Sequence, residues 1–289
     1  VFIACLLQEQ GMPVRLVQTN SGNFYLGDLD EIRYFNRALD LSQDTHLIDD
    51  ERWETAKRCL KREFGHAQSW EICRNIILNF EQVYSRKYHS DWTNYLFESK
   101  LEDFYPVQGE AIVVSTIHKA KGKEFDNVFL LLTNIESLSD EKKREVYVAI
   151  TRAKQNLSIH TNGHYLSNIA NGLAEYRINS NTYPAPQSLC YTLTHRDLWL
   201  DFFIDSHCQA AINTLKSGMS LRLTEKGCTD FSNNEILRFS KKFKDILNEL
   251  IQKDYKLEKA SVNFVVYWEK QEDKKEAKIV LPKVVFKKV

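Results

Sequence analysis

Apolar residues recur at intervals of three and four through most of the first third of the chain. The stretch VFIACLLQEQG at residues 1–11 predicts an amphipathic helix that stops at Gly11, with a strand following in PVRLV. From residue 28 the same spacing continues without a proline up to Pro106. This pattern predicts a helical insertion over residues 28–106, which opens with a capping box formed by Asp28 and Glu31.

After Pro106 the pattern changes to short, continuous apolar runs. GEAIVVSTIH and FDNVFLLLTN are typical of strands buried on both faces, as in a parallel sheet covered by helices. The stretch REVYVAITRAKQ then predicts a helix that turns quickly into another strand in NLSIHTNG. We therefore expect an α/β fold in this part of the chain.

Proline, serine and asparagine are concentrated in NSNTYPAPQS, which predicts a linker at residues 181–188. Residues 189–289 predict a separate α+β domain, in which a strand, a helix and a short strand precede a second helix opening at Ser232 with Glu235 as its capping partner. The end of the chain predicts a hairpin with a charged turn. Pro282 in its last strand favours an edge position, because proline cannot donate a ladder hydrogen bond.

The composition is that of an ordinary globular protein with unevenly distributed charge. The 289 residues are 43% hydrophobic and 27% charged, and no apolar run approaches a membrane span, so we expect a cytoplasmic protein without a membrane partner. Lys and Arg number 12 against 18 acidic residues up to position 110, 9 against 7 over 111–180, and 18 against 14 thereafter. The small basic excess after residue 110 favours an anionic partner for those parts of the chain only weakly.

Two groups of residues have a plain structural interpretation. Six dispersed cysteines lack metal-ligand spacing, which predicts reduced and mostly buried thiols and no metal site. Several lysines near the end of the chain either track phosphates or form a solvated face, and the solvated face is favoured: Lys241, Lys242, Lys244, Lys283, Lys287 and Lys288.

Two motifs in the middle of the chain carry the clearest functional signal. VVSTIHKAKGKEFDNVFLL followed by REVYVAITRAKQNL closely resembles motifs V and VI of superfamily 1 DNA helicases of the UvrD, Rep and PcrA type. The resemblance implies a second RecA-like motor domain, a parallel sheet with helices on both faces related to P-loop NTPases, formed by residues 1–27 and 107–180. Lys123 stands where the family usually has leucine, which affects local packing and leaves the polar residues in place.

The resemblance also implies a role for each polar residue of these motifs. Arg152 is implied as an arginine finger that reaches the γ-phosphate of ATP bound to the other RecA-like domain. Glu124 is implied as the acceptor for the ATP ribose, and Gly122 lets the backbone approach the nucleotide. The other implied roles are contacts to single-stranded DNA and coupling between the ligands, the first at Thr116, His118 and Lys119 and the second at Thr151 and Lys154. A purely structural alternative pairs Arg152 with a local carboxylate such as Glu145.

The sequence contains no phosphate cradle to accompany these motifs. The pattern G-x-x-x-x-G-K-[ST] is absent, and Asp140-Glu141 does not follow an apolar strand, so ATP and Mg²⁺ are expected to be bound mainly by an upstream RecA-like domain of a longer chain. The resemblance thus implies half of an ATP-dependent helicase, inactive by itself, that acts on single-stranded or partly duplex DNA in repair or recombination. Its C-terminal segment is similar to that of some bacterial RecQ-type helicase chains.

Two other functional classes stay open at this point. One is a non-catalytic nucleic-acid or protein-interaction module that kept a RecA-like fold and lost its motor. The other is the helicase part of a helicase–nuclease, although no D-x-E-x-K-like set follows an apolar strand in this sequence.

Overall fold

The chain forms two compact units, and each combines helices with strands. The larger unit comprises Val1–Pro13, Asn20–Ala111 and Pro186–Val289, and the smaller comprises Val14–Thr19 and Ile112–Ala185. The computed structural model describes residues 1–17, 24–41, 46–106, 111–132, 139–162, 179–204 and 206–289.

Helices fill most of the first third of the described chain, and strands fill most of its end. The helices in chain order are α1 (Phe2–Glu9), α2 (Asp30–Leu39), α3 (Asp50–Phe64), α4 (Trp70–Val83), α5 (His89–Glu98), α6 (Asp140–Ile150), α7 (Ser206–Ile212) and α8 (Lys241–Ile251). The strands are β1 (Val14–Val17), β2 (Ile112–Ser115), β3 (Phe125–Leu132), β4 (Ala153–Thr161), β5 (Ser188–Thr192), β6 (Ser220–Leu223), β7 (Gly227–Thr229), β8 (Glu235–Arg238), β9 (Tyr255–Glu269) and β10 (Glu276–Lys288).

Most of the predicted elements are confirmed. The chain begins with a helix and a strand separated by Gly11, whose φ of +79° is the left-handed conformation that glycine adopts without strain. The described part of residues 28–106 is mainly helical, with α2 to α5, and the stretch around Arg152 passes from α6 into β4 within a few residues. The predicted linker ends at the larger unit, where the Pro186 carbonyl accepts a hydrogen bond from the Tyr255 hydroxyl at 2.6 Å.

The larger unit contains a six-stranded antiparallel sheet in the order β5-β10-β9-β6-β7-β8. Strand β10 lies between β5 and β9, so the edge position predicted for Pro282 is wrong. The register of β10 against β9 shifts between Leu281 and Pro282, and the Pro282 carbonyl accepts from the Leu193 amide at 2.8 Å. A bulge therefore accommodates the missing N–H inside the sheet.

The helix predicted to open at Ser232 is wrong as well. The Asp230 carboxylate accepts hydrogen bonds from the amides of Ser232 and Asn234, at 2.9 and 2.8 Å, and this turn joins β7 to β8. Glu235 consequently begins a strand. Helix α8 starts one element later, and its cap is Ser240, which accepts from the Phe243 amide. Serine and asparagine favour caps and turns alike, so the local pattern does not separate the two.

One hydrophobic core joins the helices of the larger unit to its sheet. On the helical side, the rings of Trp53, Phe80 and Trp92 lie 4.9 to 5.5 Å apart between centroids. Leu29, which immediately precedes α2, forms a β-bridge with Val266 of β9, and both residues are fully buried. The helical segment and the C-terminal sheet are thus continuous in their packing.

The residue ranges of these compact units differ from those of the predicted domains. Residues 28–106 and 189–289 pack together, because the helices alone and the sheet alone would each leave an apolar face exposed. Residues 1–13 also lie with this larger unit rather than with β2 and β3 of the proposed motor domain. Parts of that proposed domain, at 18–23, 107–110, 133–138 and 163–178, fall outside the described residues. The functional domain division stays a prediction.

Buried polar contacts reinforce the joint between α2 and the hairpin of β9 and β10. Asp30 and Lys278 form an ion pair at 2.8 Å, with side chains only 8% and 14% exposed. The capping box predicted at Asp28 and Glu31 is wrong, because α2 begins at Asp30 and the Asp28 carboxylate instead closes the preceding 3-10 turn. Glu31 is buried, accepts a hydrogen bond from the Ser69 hydroxyl through Oε1, and leaves Oε2 without a partner among the described residues.

The smaller unit contains two parallel strand pairs, β1 with β2 and β3 with β4. Helix α6 covers one face of the second pair and forms a small core with it, made of Leu130, Leu132, Val146 and Ala149. On the other face Phe129 is 69% exposed and Leu131 is 46% exposed. The parallel pairing is confirmed, whereas burial on both faces is wrong for the described residues, because a single described helix covers only one side.

Two findings bear on class and chemistry. Among the described residues, no helix has the length and apolar character needed to cross a membrane. None of the six cysteines forms a disulfide, and four of them are buried and two partly buried.

The shared core predicts that the helices and the sheet of the larger unit unfold together. Leu29→Ala should lower the free energy of unfolding by about 2–5 kcal/mol, the usual cost of truncating a buried leucine. The measurement is urea denaturation followed by circular dichroism at helix and sheet wavelengths. Leu47→Ala, at a side chain 53% exposed, is the control and should change stability by no more than about 0.5 kcal/mol. Separate helix and sheet transitions would contradict the shared core.

A second prediction concerns Glu31, whose burial raises the pKa of its carboxyl above the ordinary 4.5. The folded state then keeps a proton that the unfolded state releases, so the stability due to this group is greatest below pH 4.5 and declines as pH rises through the raised pKa. Glu31→Gln should remove that decline, which amounts to about 1.4 kcal/mol for each tenfold difference in proton affinity between the folded and unfolded states. Unfolding free energies from pH 4 to 8 would measure it, with the exposed Glu54→Gln as control. Parallel pH profiles of wild type and Glu31→Gln would refute it.

Candidate functional site

The candidate site is built on the crossing that leaves β2 and enters β3 in the smaller unit. Thr116 stays extended at the end of β2, and its carbonyl accepts the amides of Lys119 and Ala120 at 3.1 and 3.2 Å. This closes a 3-10 turn over Ile117–Ala120. The side chains of Thr116 and His118 point outward, and His118 is 79% exposed. The turn therefore presents a hydroxyl and an imidazole to solvent.

Gly122 reverses the chain after this turn. Its φ is +81°, and a Cβ placed there would meet no heavy atom within 4 Å. The glycine is required by backbone conformation rather than by crowding. Its open surroundings also leave the backbone accessible, which suits close approach of a ligand. The next residues lead into β3, where the Phe125 amide donates to the Arg152 carbonyl at 2.9 Å.

The side chain of Arg152 holds the crossing against the end of α6. Its Nε donates to the Val148 carbonyl at 3.0 Å, Nη1 donates to the Lys123 carbonyl at 3.3 Å, and Nη2 donates to Thr151 Oγ1 at 3.1 Å. Thr151 in turn donates its hydroxyl to the Val148 carbonyl at 3.0 Å. These contacts fix a half-buried guanidinium between two segments that the sequence separates by nearly thirty residues.

All three acceptors of Arg152 are neutral oxygens, so the positive charge is held without being neutralised. Within the described residues no carboxylate lies at ion-pair distance from it, and the pairing with Glu145 considered from the sequence is not formed. Glu145 instead pairs with Lys142 at 2.6 Å, and this hydrogen bond lowers the pKa of its carboxyl. The contacts account for three of the five N–H donors that a guanidinium carries.

The other predicted site residues lie around this centre with looser contacts. The Lys154 ammonium is 3.9 Å from Glu124, and their side chains are 53% and 58% exposed. His118 Nε2 is 3.7 Å from a Glu145 oxygen. The structure therefore brings Gly122, Glu124, Thr151, Arg152 and Lys154 together along the crossing and the α6–β4 turn. Thr116, His118 and Lys119 lie at the other end of the same crossing.

Sequence reasoning did not identify the groups that orient Arg152. The carbonyls of Lys123 and Val148 are main-chain atoms, so residue type gives no signal for them. The Val148 contact could have been found from helix geometry, because a residue just past a helix end lies near the exposed carbonyl four positions earlier. The Lys123 contact depends on how the crossing folds back.

The side chains at this site have the chemistry to contact part of a nucleotide. A guanidinium without a carboxylate partner, an accessible ammonium and an exposed carboxylate can meet a phosphate and a ribose hydroxyl. Among the described residues, no group of three or more His, Cys, Asp or Glu side chains could hold a metal ion.

Comparison with known protein families points to the same helicase family that the two motifs resemble. Residues 72–164 match the UvrD-like helicase C-terminal domain, which is about a third of the chain and includes the whole crossing and the α6–β4 turn. No curated protein matches the chain. The match supports a UvrD- or Rep-like helicase C-terminal part and suggests a helicase-related role. The similarity to RecQ-type chains stays a prediction.

The left-handed turn at Gly122 gives a direct test of the site's architecture. Gly122→Ala should lower the free energy of unfolding by about 1–2 kcal/mol, because an L-residue at this φ is strained although space is available. Gly122→Asn is the matched variant and should cost less, since asparagine tolerates the left-handed region. Thermal unfolding of the three proteins measures both. An alanine variant as stable as the parent would show that the turn does not need a positive φ.

Proposed function

We propose that this chain supplies the second RecA-like motor domain of an ATP-dependent DNA helicase, in which Arg152 acts on the γ-phosphate of ATP bound to an upstream RecA-like domain. The observation that carries the proposal is the state of Arg152, a guanidinium held by three neutral oxygens with no carboxylate pairing among the described residues. A structural arginine can form the same contacts, with or without a carboxylate partner. An arginine that must stabilise the negative charge developing in phosphoryl transfer has to keep its own positive charge free of a carboxylate partner.

The rigidity of Arg152 supports the same role. Stabilisation of a transition state depends on donors that are already in place when charge develops. The contacts to Val148, Lys123 and Thr151 restrict the long side chain beforehand, and the donors they leave over are available to phosphate oxygens. ATP bound in the upstream domain would supply the β- and γ-phosphates and the bond between them that breaks. Mg²⁺ would be bound there with the nucleotide. This chain contributes the guanidinium.

Glu124 and Lys154 complete the proposed nucleotide contacts. Their 3.9 Å separation is loose, and both side chains are more than half exposed, so either can turn toward a ligand at little cost. A carboxylate accepts a hydrogen bond from a ribose hydroxyl, which is the role proposed for Glu124 beside the open backbone at Gly122. Lys154, like Thr151, is proposed to link nucleotide and DNA contacts.

The proposed DNA contact lies at the opposite end of the crossing. Thr116, His118 and Lys119 offer donors that can hold phosphates without reading bases. Movement of this turn would reach Arg152 directly, because the intervening backbone is bound to the Arg152 side chain at Lys123 and to its carbonyl at Phe125. The two hydrogen bonds are a physical route between strand and nucleotide. We propose single-stranded or partly duplex DNA as the substrate, in repair or recombination in the cytoplasm.

The proposal predicts that Arg152 acts on the rate of hydrolysis. In the natural protein containing both motor domains, Arg152→Ala should lower DNA-stimulated kcat by about 10³–10⁵ and leave ATP binding nearly unchanged. The measurement is steady-state ATP hydrolysis with and without single-stranded DNA, together with ATP and DNA affinities. Arg144→Ala, an exposed arginine on α6, is the control and should keep its rate.

The pattern of kinetic change separates this role from a structural one. If Arg152 only secures the crossing, Arg152→Ala would raise KM for ATP and weaken DNA binding along with the rate. Full activity in Arg152→Ala, or no hydrolysis by the natural protein, would overturn the motor proposal. A non-catalytic interaction module would then be the better account.

A further inference from the structure

The exposed face of strands β6, β7 and β8 carries an ordered row of arginine and aromatic side chains. Arg222 lies opposite Thr229, Thr229 lies opposite Glu235, and Gly227 lies opposite Arg238. The register shifts between Cys228 and Thr229, which lets Glu235 and Arg238 share one face although they are three residues apart, and their mutual hydrogen bonds agree with this. Trp199 extends the row, since its amide donates to the Arg238 carbonyl at 2.9 Å. We name this surface, from Trp199 through Arg238, Thr229 and Arg222 to Phe231, the Trp199–Phe231 face.

Each end of the Trp199–Phe231 face pairs an arginine with an aromatic ring. The Arg238 guanidinium carbon lies 5.4 Å from the Trp199 ring centroid, and that of Arg222 lies 5.2 Å from the Phe231 centroid. Trp199 nevertheless remains 48% exposed and Phe231 remains 64% exposed. An arginine on one side orders each ring, and the exposed remainder is open to a second stacking partner.

Exposed basic residues adjoin the two segments that form the Trp199 end of this face. Ser240 connects the segment before Trp199 to the start of α8, because its amide donates to the Asp197 carbonyl and its hydroxyl donates to the Arg196 carbonyl, both at 2.9 Å. Arg196, Lys241 and Lys242 are exposed there, and none pairs with an acidic side chain among the described residues.

Four acidic residues near this face have hydrogen-bond or ion-pair partners. Asp197 accepts from the Thr194 amide and hydroxyl at 2.8 and 2.7 Å, and Asp230 is held within its turn. Asp201 pairs with Lys270 at 2.7 Å. Glu235 is bound to Arg238 through two hydrogen bonds of 2.7 Å, and this lowers the pKa of its carboxyl. Cations neutralise Asp201 and Glu235, whereas Asp197 and Asp230 accept only neutral donors and keep their charge, as does the exposed Glu225 of the β6–β7 turn. The exposed cations in this region outnumber these three carboxylates: Arg196, Arg222, Lys241 and Lys242.

We propose that the Trp199–Phe231 face binds single-stranded nucleic acid, with bases stacked on Trp199 and Phe231 and the backbone held by Arg222 and the bordering cations. Rings accept any base because every base has a π-face, and cations hold phosphates irrespective of sequence. From β6 to Trp199 the face spans three strand spacings, about 14 Å. That distance matches about four nucleotides at a stacked rise of about 3.4 Å.

This face lies in the larger unit and is separate from the crossing at Arg152, so it does not depend on the proposed motor role. A protein partner is a weaker fit, because charged residues are depleted at the centre of protein interfaces and this face alternates charge with aromatic rings. Duplex DNA fits poorly as well, since its bases are stacked on each other and are not accessible to the rings.

The first test is binding of a fluorescein-labelled oligothymidylate to the whole 289-residue chain by fluorescence anisotropy at low salt. Trp199→Ala and Phe231→Ala should each weaken binding about fivefold or more, the cost of losing one stacked base. Phe97→Ala is the matched control, because this ring is 61% exposed in the same unit and lies outside the face. Equal losses in Phe97→Ala, or no loss in either face variant, would overturn the proposal.

Intrinsic fluorescence provides a second readout that a folding defect would not imitate. Trp199 is the most exposed of the five tryptophans, the others being Trp53, Trp70, Trp92 and Trp268. Oligothymidylate should quench its emission. Trp199→Phe should keep a stacking ring and near-normal affinity while losing most of that quenching. Quenching that persists in Trp199→Phe would place the ligand elsewhere.

Three further arms define the ligand and separate this proposal from the motor proposal. Oligouridylate identifies whether RNA or DNA is preferred, and tight binding of either supports the shared chemistry. Duplex DNA that binds as tightly as the single strand, and equally in Trp199→Ala, would overturn it. Trp199→Ala should weaken oligothymidylate binding whether or not Arg152→Ala lowers ATP hydrolysis in the natural protein, so the two proposals can fail separately. No binding of any single strand at low salt would also overturn the proposal.

Discussion

The buried joint between α2 and the β9–β10 hairpin is the contact on which the larger unit depends. Leu29 and Val266 meet at its centre, and the ion pair of Asp30 with Lys278 is almost completely removed from water. Removing one partner of such a pair leaves an uncompensated buried charge, which typically costs about 3–5 kcal/mol. The joint is therefore intolerant of single changes and specific about its geometry. It makes the helices and the C-terminal sheet one folding unit, although they stand far apart in sequence.

The smaller unit follows a different physical logic. Its core is small, and many of its strand residues are exposed. Order at the site comes from hydrogen bonds between a single guanidinium and main-chain carbonyls rather than from extensive burial. That arrangement fits the proposed function, because a residue that must respond to two ligands cannot be locked into a deep core. The left-handed Gly122 supplies the reversal that brings the Lys123 carbonyl within reach of Arg152.

The two proposed binding surfaces differ in the way they hold a ligand. At the crossing, donors and a guanidinium address phosphate and ribose, and geometry relative to the reacting bond is decisive. On the Trp199–Phe231 face, rings and dispersed cations address bases and backbone, and area is decisive. A chain with both could keep hold of a strand while its motor contacts change with the nucleotide. The role of residues 189–289 would then be retention of the substrate.

The sequence alone located most of the secondary-structure elements and the two motifs that form the candidate site. Apolar periodicity located α1 through α5, because helical spacing is a local property. The TIHKAKGKEF stretch placed Gly122 and Glu124 on the β2–β3 connection, and the YVAITRA stretch placed Arg152 at the α6–β4 turn. Local signals also produced the errors at Asp28, Ser232 and Pro282. Aspartate and serine occur both at helix caps and in turns, and proline occurs both on edge strands and at bulges, so the residue type alone does not separate these structures.

The tertiary structure decided the rest. The Leu29–Val266 bridge, the buried Glu31, the Lys123 carbonyl at Arg152 and the row from Trp199 to Phe231 all join segments distant in sequence. Contacts of that kind depend on how whole elements pack, and no short window of residues encodes them.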